Sequence, residues 1–183
     1  QKAWSEGMRG LYMYTSSIQD QVEMLGGHGS PEAKTLDRYN DLLLPLVKGF
    51  CSDKGYEILA HALQSFGGSG YCQDYPIEQY IRDQKIDTLY EGTTHIQALD
   101  FFFRKVARDG GATFRLLLGN VREATVEGHE DLAPARAALA RALGEVERIF
   151  MGMMGKVGES LYHVGLQGNR ILFSVGKLVV GWR

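Results

Sequence analysis

The sequence predicts an all-α protein: a helical bundle with an additional C-terminal helical unit. Three observations lead there. Apolar residues recur at steps of three and four through most of the 183 positions, the stripe of helices with one buried face. Glycine-rich breaks (GGHG at 26–29, GGSGY at 67–71, DGG at 109–111) separate these runs. No period-two alternation of convincing length and no internal repeat competes with that reading. The expected division is residues 1–108 and 109–183, because composition turns alanine-rich beyond the break at Asp109-Gly110-Gly111.

The elements follow in order. Trp4, Met8, Leu11, Thr15, Ile18, Val22 and Leu25 form one helical stripe, which GGHG ends. Ser30-Pro31 offers an N-cap followed by proline at the first helical position, where its missing N–H is harmless. A second helix is expected from Pro31 to about Cys51, kinked near Pro45. After Ser52-Asp53 a shorter helix carries Tyr56, Leu59, Ala60, Leu63 and Phe66 to the GGSGY loop. Asp74 and Pro76 open another helix through IEQYIRDQ, and Ile86 and Leu89 pack a short connector. At Thr94 the sequence T-H-I-Q has the form of a capping box, with Gln97 at N3, and Ile96, Leu99, Phe103 and Val106 continue at helical spacing. Further on, Ala135, Leu139, Ala142, Val146, Ile149, Met153, Val157 and Leu161 predict one long helix, and a last helix is expected over Arg170–Val180.

Composition bounds the function. With 44% apolar residues the chain can bury a real core. The balance of 20 Lys+Arg against 22 Asp+Glu gives a net charge of -2, so there is no electrostatic case for nucleic acid or an anionic membrane. Cys51 and Cys72 lack metal-ligand or C-x-x-C spacing and read as buried free thiols in a reducing, intracellular setting. No run reaches the roughly 20 apolar residues of a spanning helix, and the first residues carry no signal-peptide pattern. Gln1 already lies inside a helical pattern and Arg183 inside an apolar run, so both ends read as cut and a longer polypeptide is expected.

Two stretches carry chemistry: ALQSFGGSGY at 62–71 and LYEGTTHIQ at 89–97, joined through YPIEQYIRDQKID. In order and spacing they match Q-x-x-G-G-x-G-(Y/F), Y-P-(I/V)-E, R-D-x-K-I and Y-E-G-T-x-x-I-Q, and in that set the chain resembles the C-terminal helical domain of the acyl-CoA dehydrogenase family. The resemblance extends more loosely over residues 1–108. Residues 109–183 are similar to an extra helical unit of a larger-sized subgroup, which also shows Q-K-A-x-x-E-G and I-Q-A-L-D, found here at 1–7 and 96–100. Members acting on 3-methylthiopropanoyl-CoA and on saturated fatty acyl-CoA share these features, so the resemblance does not fix the acyl group.

The resemblance implies an FAD enzyme in which Glu91 is the general base. It would remove the pro-R α-proton of an acyl-CoA while a β-hydride passes to flavin N5, giving trans-2-enoyl-CoA. The chemistry needs a carboxylate of raised proton affinity, so burial between apolar walls such as Tyr90 is expected, opposed by the nearby helix N-terminus. The Glu91 N–H and a ribityl hydroxyl of FAD would polarise the thioester oxygen, one such donor being worth about 3 kcal/mol in the transition state. Gly92 would allow close approach of the thioester. Thr93 would contact flavin, as would His95, at a position where relatives often carry glutamine. Gln64, Gly67 and Gly68 would meet the adenosine diphosphate part of FAD held mainly by a neighbouring subunit, a glycine-rich turn suiting pyrophosphate. That implies a homodimer or dimer of dimers, with electron-transfer flavoprotein as acceptor, in a bacterial cytoplasm or mitochondrial matrix. Relatives that take their base from an earlier helix carry a small residue where Glu91 stands; this chain does not.

Blander readings stand beside these. Glu91 alone is a helix-start acid favoured by the dipole, and GGSGY alone a helix-ending turn. Arg82 and Asp83 read as an ion pair or caps. His28, His61, His129 and His163 show no ligand spacing, and no metal site is expected. The methionines 151, 153 and 154 read as core filling. Arg104 and Lys105 read as the solvated edge of a phenylalanine run, with CoA phosphate as the alternative. The N-terminal helical domain, the central β-domain and the R-x-x-F-G segment of the family are not represented, so these residues alone are expected neither to bind FAD nor to turn over substrate. The competing functions are a non-catalytic helical oligomerisation module and an oxidase-like flavoenzyme, an acyl-CoA oxidase or a nitroalkane-type oxidase.

Overall fold

A computed structural model describes residues 1–183. All of its regular structure is helical and no strand forms. Helix α1 (Lys2–Met24) buries Leu11, Thr15, Ile18 and Val22 along the expected stripe. It ends as the glycines dictate: Gly26, at φ +100°, lets its N–H reach Glu23 O, and the Gly27 N–H reaches Val22 O at 2.9 Å. This pair of bonds satisfies two orphan carbonyls. The same arrangement recurs where Gly110 (φ +63°) and Gly111 donate to Ala107 O and Val106 O.

Helix α2 (Lys34–Pro45) starts later than the Ser30-Pro31 signal predicts, with Ala33 as its N-cap. The Ser30 hydroxyl is already engaged, lying 2.7 Å from both Leu25 O and Glu32 Oε2 and sharing its one proton between them; it closes the α1–α2 turn instead of capping. Nor does the chain break at Ser52-Asp53. A π-helical turn, Leu46–Phe50, leads straight into α3 (Cys51–Ser65), and the Ser52 hydroxyl bonds back to Gly49 O within the rod. Pro45 supplies no N–H to the preceding turn, and the widened turn directly after it absorbs that gap. The apolar face predicted for α3 is not sealed: Ala60 and Phe66 are exposed, while Tyr56, Leu59 and Leu63 are half-buried beside α4 (Ile77–Lys85).

Helix α5 (Thr94–Leu99) runs into a second π-helical segment, Asp100–Val106. Helix α6 (Ala112–Val126), which the sequence reading left unassigned, buries Phe114, Leu117, Leu118 and Val121. Helix α7 (Ala133–Val157) stops one turn short of Leu161, which instead opens α8 (Leu161–Trp182). This last helix begins well before the expected Arg170. Its two early glycines weaken the helical signal, yet Gly168 is buried, with room for no more than contact against Ala98 of α5.

Helix α8 packs against α1, α5, α7 and the Leu46–Phe50 turn. One hydrophobic cluster runs from Leu11 through Phe50, Phe101, Phe114 and Leu143 to Val180, on both sides of residue 109. Phe50 sits at its centre, 6.1 Å from the Trp4 ring and 5.4 Å from that of Phe173. Burial of such side chains, roughly 1.5–3 kcal/mol each, holds α5 and its preceding loop against a rigid floor.

Candidate functional site

The loop Leu89–Thr93 lies between a 3-10 turn, Ile86–Thr88, and the N-terminus of α5. Leu89 and Tyr90 donate their N–H groups to Ile86 O at 2.9 and 3.2 Å, so the chain is pinned up to Tyr90. Glu91 then adopts φ +54° and is the one non-glycine residue of the chain with a left-handed backbone. A side chain with a Cβ is strained there, and such strain concentrates at functional positions. Gly92 follows at φ +93°, and a Cβ on it would crowd Ile96 Cγ2 at 3.2 Å and Gln97 Nε2 at 3.3 Å. The Glu91 N–H finds no acceptor within the chain, while its carbonyl accepts from Gln97 Nε2 at 3.0 Å.

That last bond corrects the capping box. Thr93, not Thr94, is the N-cap of α5, and it makes no side-chain capping bond. Gln97 reaches past the helix start to the Glu91 carbonyl. Sequence spacing showed that Gln97 faces backward along the helix; which carbonyl it meets depends on the left-handed turn.

Glu91 stands at the rim of an open groove of about 410 Å³, lined also by Ile96, Gln97, Leu99, Asp100, Phe103 and Arg104. The apolar enclosure expected around the carboxylate is not built by this chain. Glu91 is exposed, and Tyr90, 48% exposed, has its ring 4.8 Å from the Lys48 ammonium instead. Ile96 and Phe103 offer an apolar wall, but both are open to solvent. Arg104 is exposed and ion-paired to Asp100 at 3.1 Å. Lys105 is no solvated edge: its half-buried side chain lies between Asp41 at 2.6 Å and Asp100 at 3.6 Å.

Thr93, at the N-cap, and His95, on the first turn of α5, are exposed and lie outside the lining of that groove. His95 Nδ1 lies 3.2 Å from Asn169 Oδ1 of α8, a contact over 74 residues that no local pattern announces. With the ring N–H directed at that oxygen, Nε2 is left as an acceptor.

Gln64, Gly67 and Gly68 are exposed where α3 ends, and GGSGY itself folds as a 3-10 turn, Gly67–Tyr71. None of the three lines the groove at Glu91. The two motifs are separated by α4, whose nine residues span about 12 Å. Gly67 holds φ +62°, and added Cβ atoms at Gly67 and Gly68 would meet nothing within 4 Å. The three residues thus present an exposed amide and two open glycine faces. Arg82 pairs with Glu78 at 3.0 Å, not with its neighbour Asp83. No three His, Cys, Asp or Glu side chains gather as a metal site, and no helix is long and apolar enough to cross a membrane.

Comparison with known proteins bears on this arrangement. Residues 29–102 match the family described as acyl-CoA dehydrogenase, C-terminal domain. The whole chain is 48% identical to the broad-specificity linear acyl-CoA dehydrogenase FadE5 of Mycobacterium tuberculosis, of which it spans 31%. It is 33% identical to the 3-methylmercaptopropionyl-CoA dehydrogenase of Ruegeria pomeroyi, again over all of this chain and 31% of that protein. The crystal structure of Caenorhabditis elegans ACDH-11 in complex with C11-CoA superimposes with a TM-score of 0.81 over 99% of this chain and 30% of that one, at 17% identity. The chain thus spans about a third of the length of these relatives, and the last likeness establishes its fold.

Proposed function

The chain belongs to the acyl-CoA dehydrogenase family, and on that premise we propose that it forms part of an FAD-dependent enzyme that desaturates acyl-CoA thioesters to trans-2-enoyl-CoA, with Glu91 as general base. The observation that carries this reading is the strained left-handed turn at Glu91, opening on a groove walled by Ile96, Leu99 and Phe103. Nothing in the packing of the chain requires a glutamate there. A glycine would relieve the strain, so retaining an exposed carboxylate at that φ makes sense for chemistry.

In this reading Glu91 takes the α-proton onto a carboxylate oxygen. Its own N–H, which has no acceptor in the chain, donates to the thioester oxygen as enolate charge develops there. Gly92 lets the thioester approach the backbone, and the apolar wall of Ile96, Leu99 and Phe103 takes the acyl chain. Thr93 and His95 would lie along the flavin. Gln64, Gly67 and Gly68 would hold the adenosine diphosphate part of FAD from a neighbouring protomer, which accounts for their separation from Glu91. The FAD so held would supply the acceptor for the β-hydride.

Because Glu91 is exposed on this chain, surfaces from the remainder of the polypeptide and from substrate would exclude water from the carboxylate. Linear acyl groups are the favoured substrate class, since the relative sharing 48% of its residues is described as acting on them. The same reading divides the chain into a family domain over 1–108 and a helical extension over 109–183. It adds electron-transfer flavoprotein as acceptor, a homodimer or dimer of dimers, and a bacterial cytoplasm or mitochondrial matrix.

The test uses the complete polypeptide purified with its yellow flavin. Linear acyl-CoA should bleach the flavin, and Glu91→Gln should keep fold and flavin while slowing bleaching by roughly 10²–10⁴-fold. Unchanged bleaching by Glu91→Gln would show that another base operates. Peroxide release during turnover would instead mark the enzyme as an oxidase.

A further inference from the structure

We infer that Gln97 is a positioning residue for Glu91, seated by Gly49 of the π-helical turn, and that Lys48 of the same turn fixes the opposite end of the loop. The inference deepens the reading of Glu91 as the base and rests on it.

A left-handed glutamate relaxes unless something holds it. Upstream, the loop is tied as far as the Tyr90 N–H; downstream, it is tied from Thr93, whose carbonyl accepts from the Gln97 N–H at 3.0 Å. Between those ties, one hydrogen bond within the chain reaches Glu91 or Gly92: that of Gln97 Nε2 to the Glu91 carbonyl. Holding this carbonyl fixes the peptide plane between Glu91 and Gly92. It thereby sets the direction of the Glu91 Cα–Cβ bond and, through the adjoining φ, of the unpaired N–H. The Gln97 amide is itself constrained from the opposite side, since a Cβ on Gly92 would crowd it at 3.3 Å.

Gln97 can reach because α5 lies unusually close to the turn after Pro45. A Cβ on buried Gly49 would stand 3.0 Å from Gln97 Cβ and 2.8 Å from Leu172 Cδ2, inside any normal contact. Next to it in sequence, Lys48 donates from Nζ to the Asp87 carbonyl and lies 4.8 Å from the Tyr90 ring centroid. Adjacent residues of one widened turn thus grip the loop on both flanks of the base. This gives the π-helical turn a task beyond accommodating Pro45, in keeping with the frequency of such turns at functional sites.

The deciding variant is Gln97→Met in the flavin-loaded complete polypeptide: similar in volume, without the donor. Anaerobic flavin bleaching by a linear acyl-CoA should slow by roughly 10–100-fold, the cost of a misaimed reacting group, with half-saturation by substrate changed less than about twofold, the signature of an interaction made chiefly in the transition state. Hydrogen exchange of the peptide covering 89–94 should rise in parallel. A merely structural Gln97 would instead lower the melting temperature and leave the bleaching rate of the folded enzyme alone; that result overturns the inference. Should Gln97→Met not accumulate folded, Gln97→Glu replaces it, because a carboxylate offers the Glu91 carbonyl no proton at neutral pH, and the same two outcomes apply. Gly49→Ala and Gln97→Met should be non-additive, since both remove one bond; fully additive slowing overturns the seating role of Gly49. If the wild-type flavin does not bleach at all, the functional reading fails. Hydrogen exchange then decides alone whether Gln97 holds the loop: increased exchange in Gln97→Met upholds that hold, and unchanged exchange removes it.

Discussion

Gly176 and Gly165 both lie inside α8, and the same substitution should move stability in opposite directions at the two. At Gly176 an added methyl carbon would stand 2.4 Å from Phe50 Cγ and below 3 Å from both ring Cδ atoms. Carbon atoms pack at about 3.5–4.0 Å, so the ring must retreat by more than about 1 Å. Phe50 is fully buried and boxed by Trp4 and Phe173, which leaves nowhere to go without displacing α1 or α8. Overpacking of this kind costs about 1–3 kcal/mol, at the upper end when backbone must move. Against that, alanine gains about 1 kcal/mol over glycine in a helix interior. The net for Gly176→Ala is a loss of about 2 kcal/mol, or about 4–8 °C in melting temperature for a chain of this size. At Gly165 nothing lies within 4 Å of the added carbon, so Gly165→Ala should keep the propensity gain and melt about 2–4 °C higher. Thermal unfolding followed by circular dichroism at 222 nm reads both. Equal shifts of the two variants would falsify the argument, because they would mean that Phe50 does not press on α8.

Other consequences are simpler to state. Burial pushes the thiol of half-buried Cys51 up to about 12, whereas Cys72 is exposed; an aromatic disulfide reagent at pH 8 should therefore titrate Cys72 quickly and Cys51 much more slowly. The sign of the pH effect follows: with the folded value above the ordinary 9.0, the half-buried neutral thiol contributes stability that is fully present below about pH 9 and is lost as pH rises toward 12. Cys51→Ala should flatten that alkaline decline in urea midpoints. Buried Lys54 lies 4.6 Å from the Trp4 ring centroid and 2.5 Å from Glu57 Oε2. Lys54→Met, which keeps the apolar contact with Trp4, should change stability by less than about 1 kcal/mol. Glu57→Ala strands the buried ammonium and should cost more than Lys54→Met; the reverse order in urea unfolding would refute this.

Helical faces were readable in the sequence because burial imposes a period: Leu11, Ile18 and Val22 announce α1 before any packing is known. So were the ends at Gly26 and Gly110, where the left-handed geometry admits few other residues. Ser30, read as a cap, and Ser52, read as a break between helices, misled for a shared reason. A hydroxyl ahead of an apolar run has the chemistry of a cap, but which carbonyl it meets is decided by the turn around it: Leu25 in one case and Gly49 in the other. Gly168 lowered the helical signal of α8 while serving its packing. At the candidate site the residue pattern was legible, a carboxylate between an aromatic residue and a glycine ahead of a helix, whereas the strain at Glu91, its exposure and the reach of Gln97 and Asn169 depend on contacts that no local pattern encodes.

The exposure of Glu91 separates two requirements that are easily merged. A base must be aimed, and it must be basic. Aim comes from short-range contacts, which this chain supplies in Gln97, Gly92 and the rigid floor under α5. Basicity toward a weak carbon acid comes from excluding water, and an open groove cannot do that. On the proposed reading both are reconciled by the wall of Ile96, Leu99 and Phe103. Each uncovered apolar side chain forgoes part of the roughly 1.5–3 kcal/mol that full burial yields, so an acyl chain or a neighbouring surface is drawn to cover them. Covering that wall is the same event that removes water from the rim where Glu91 stands. Water would then leave the rim as the α-carbon comes within reach, which couples reactivity to occupancy without any movement of the base.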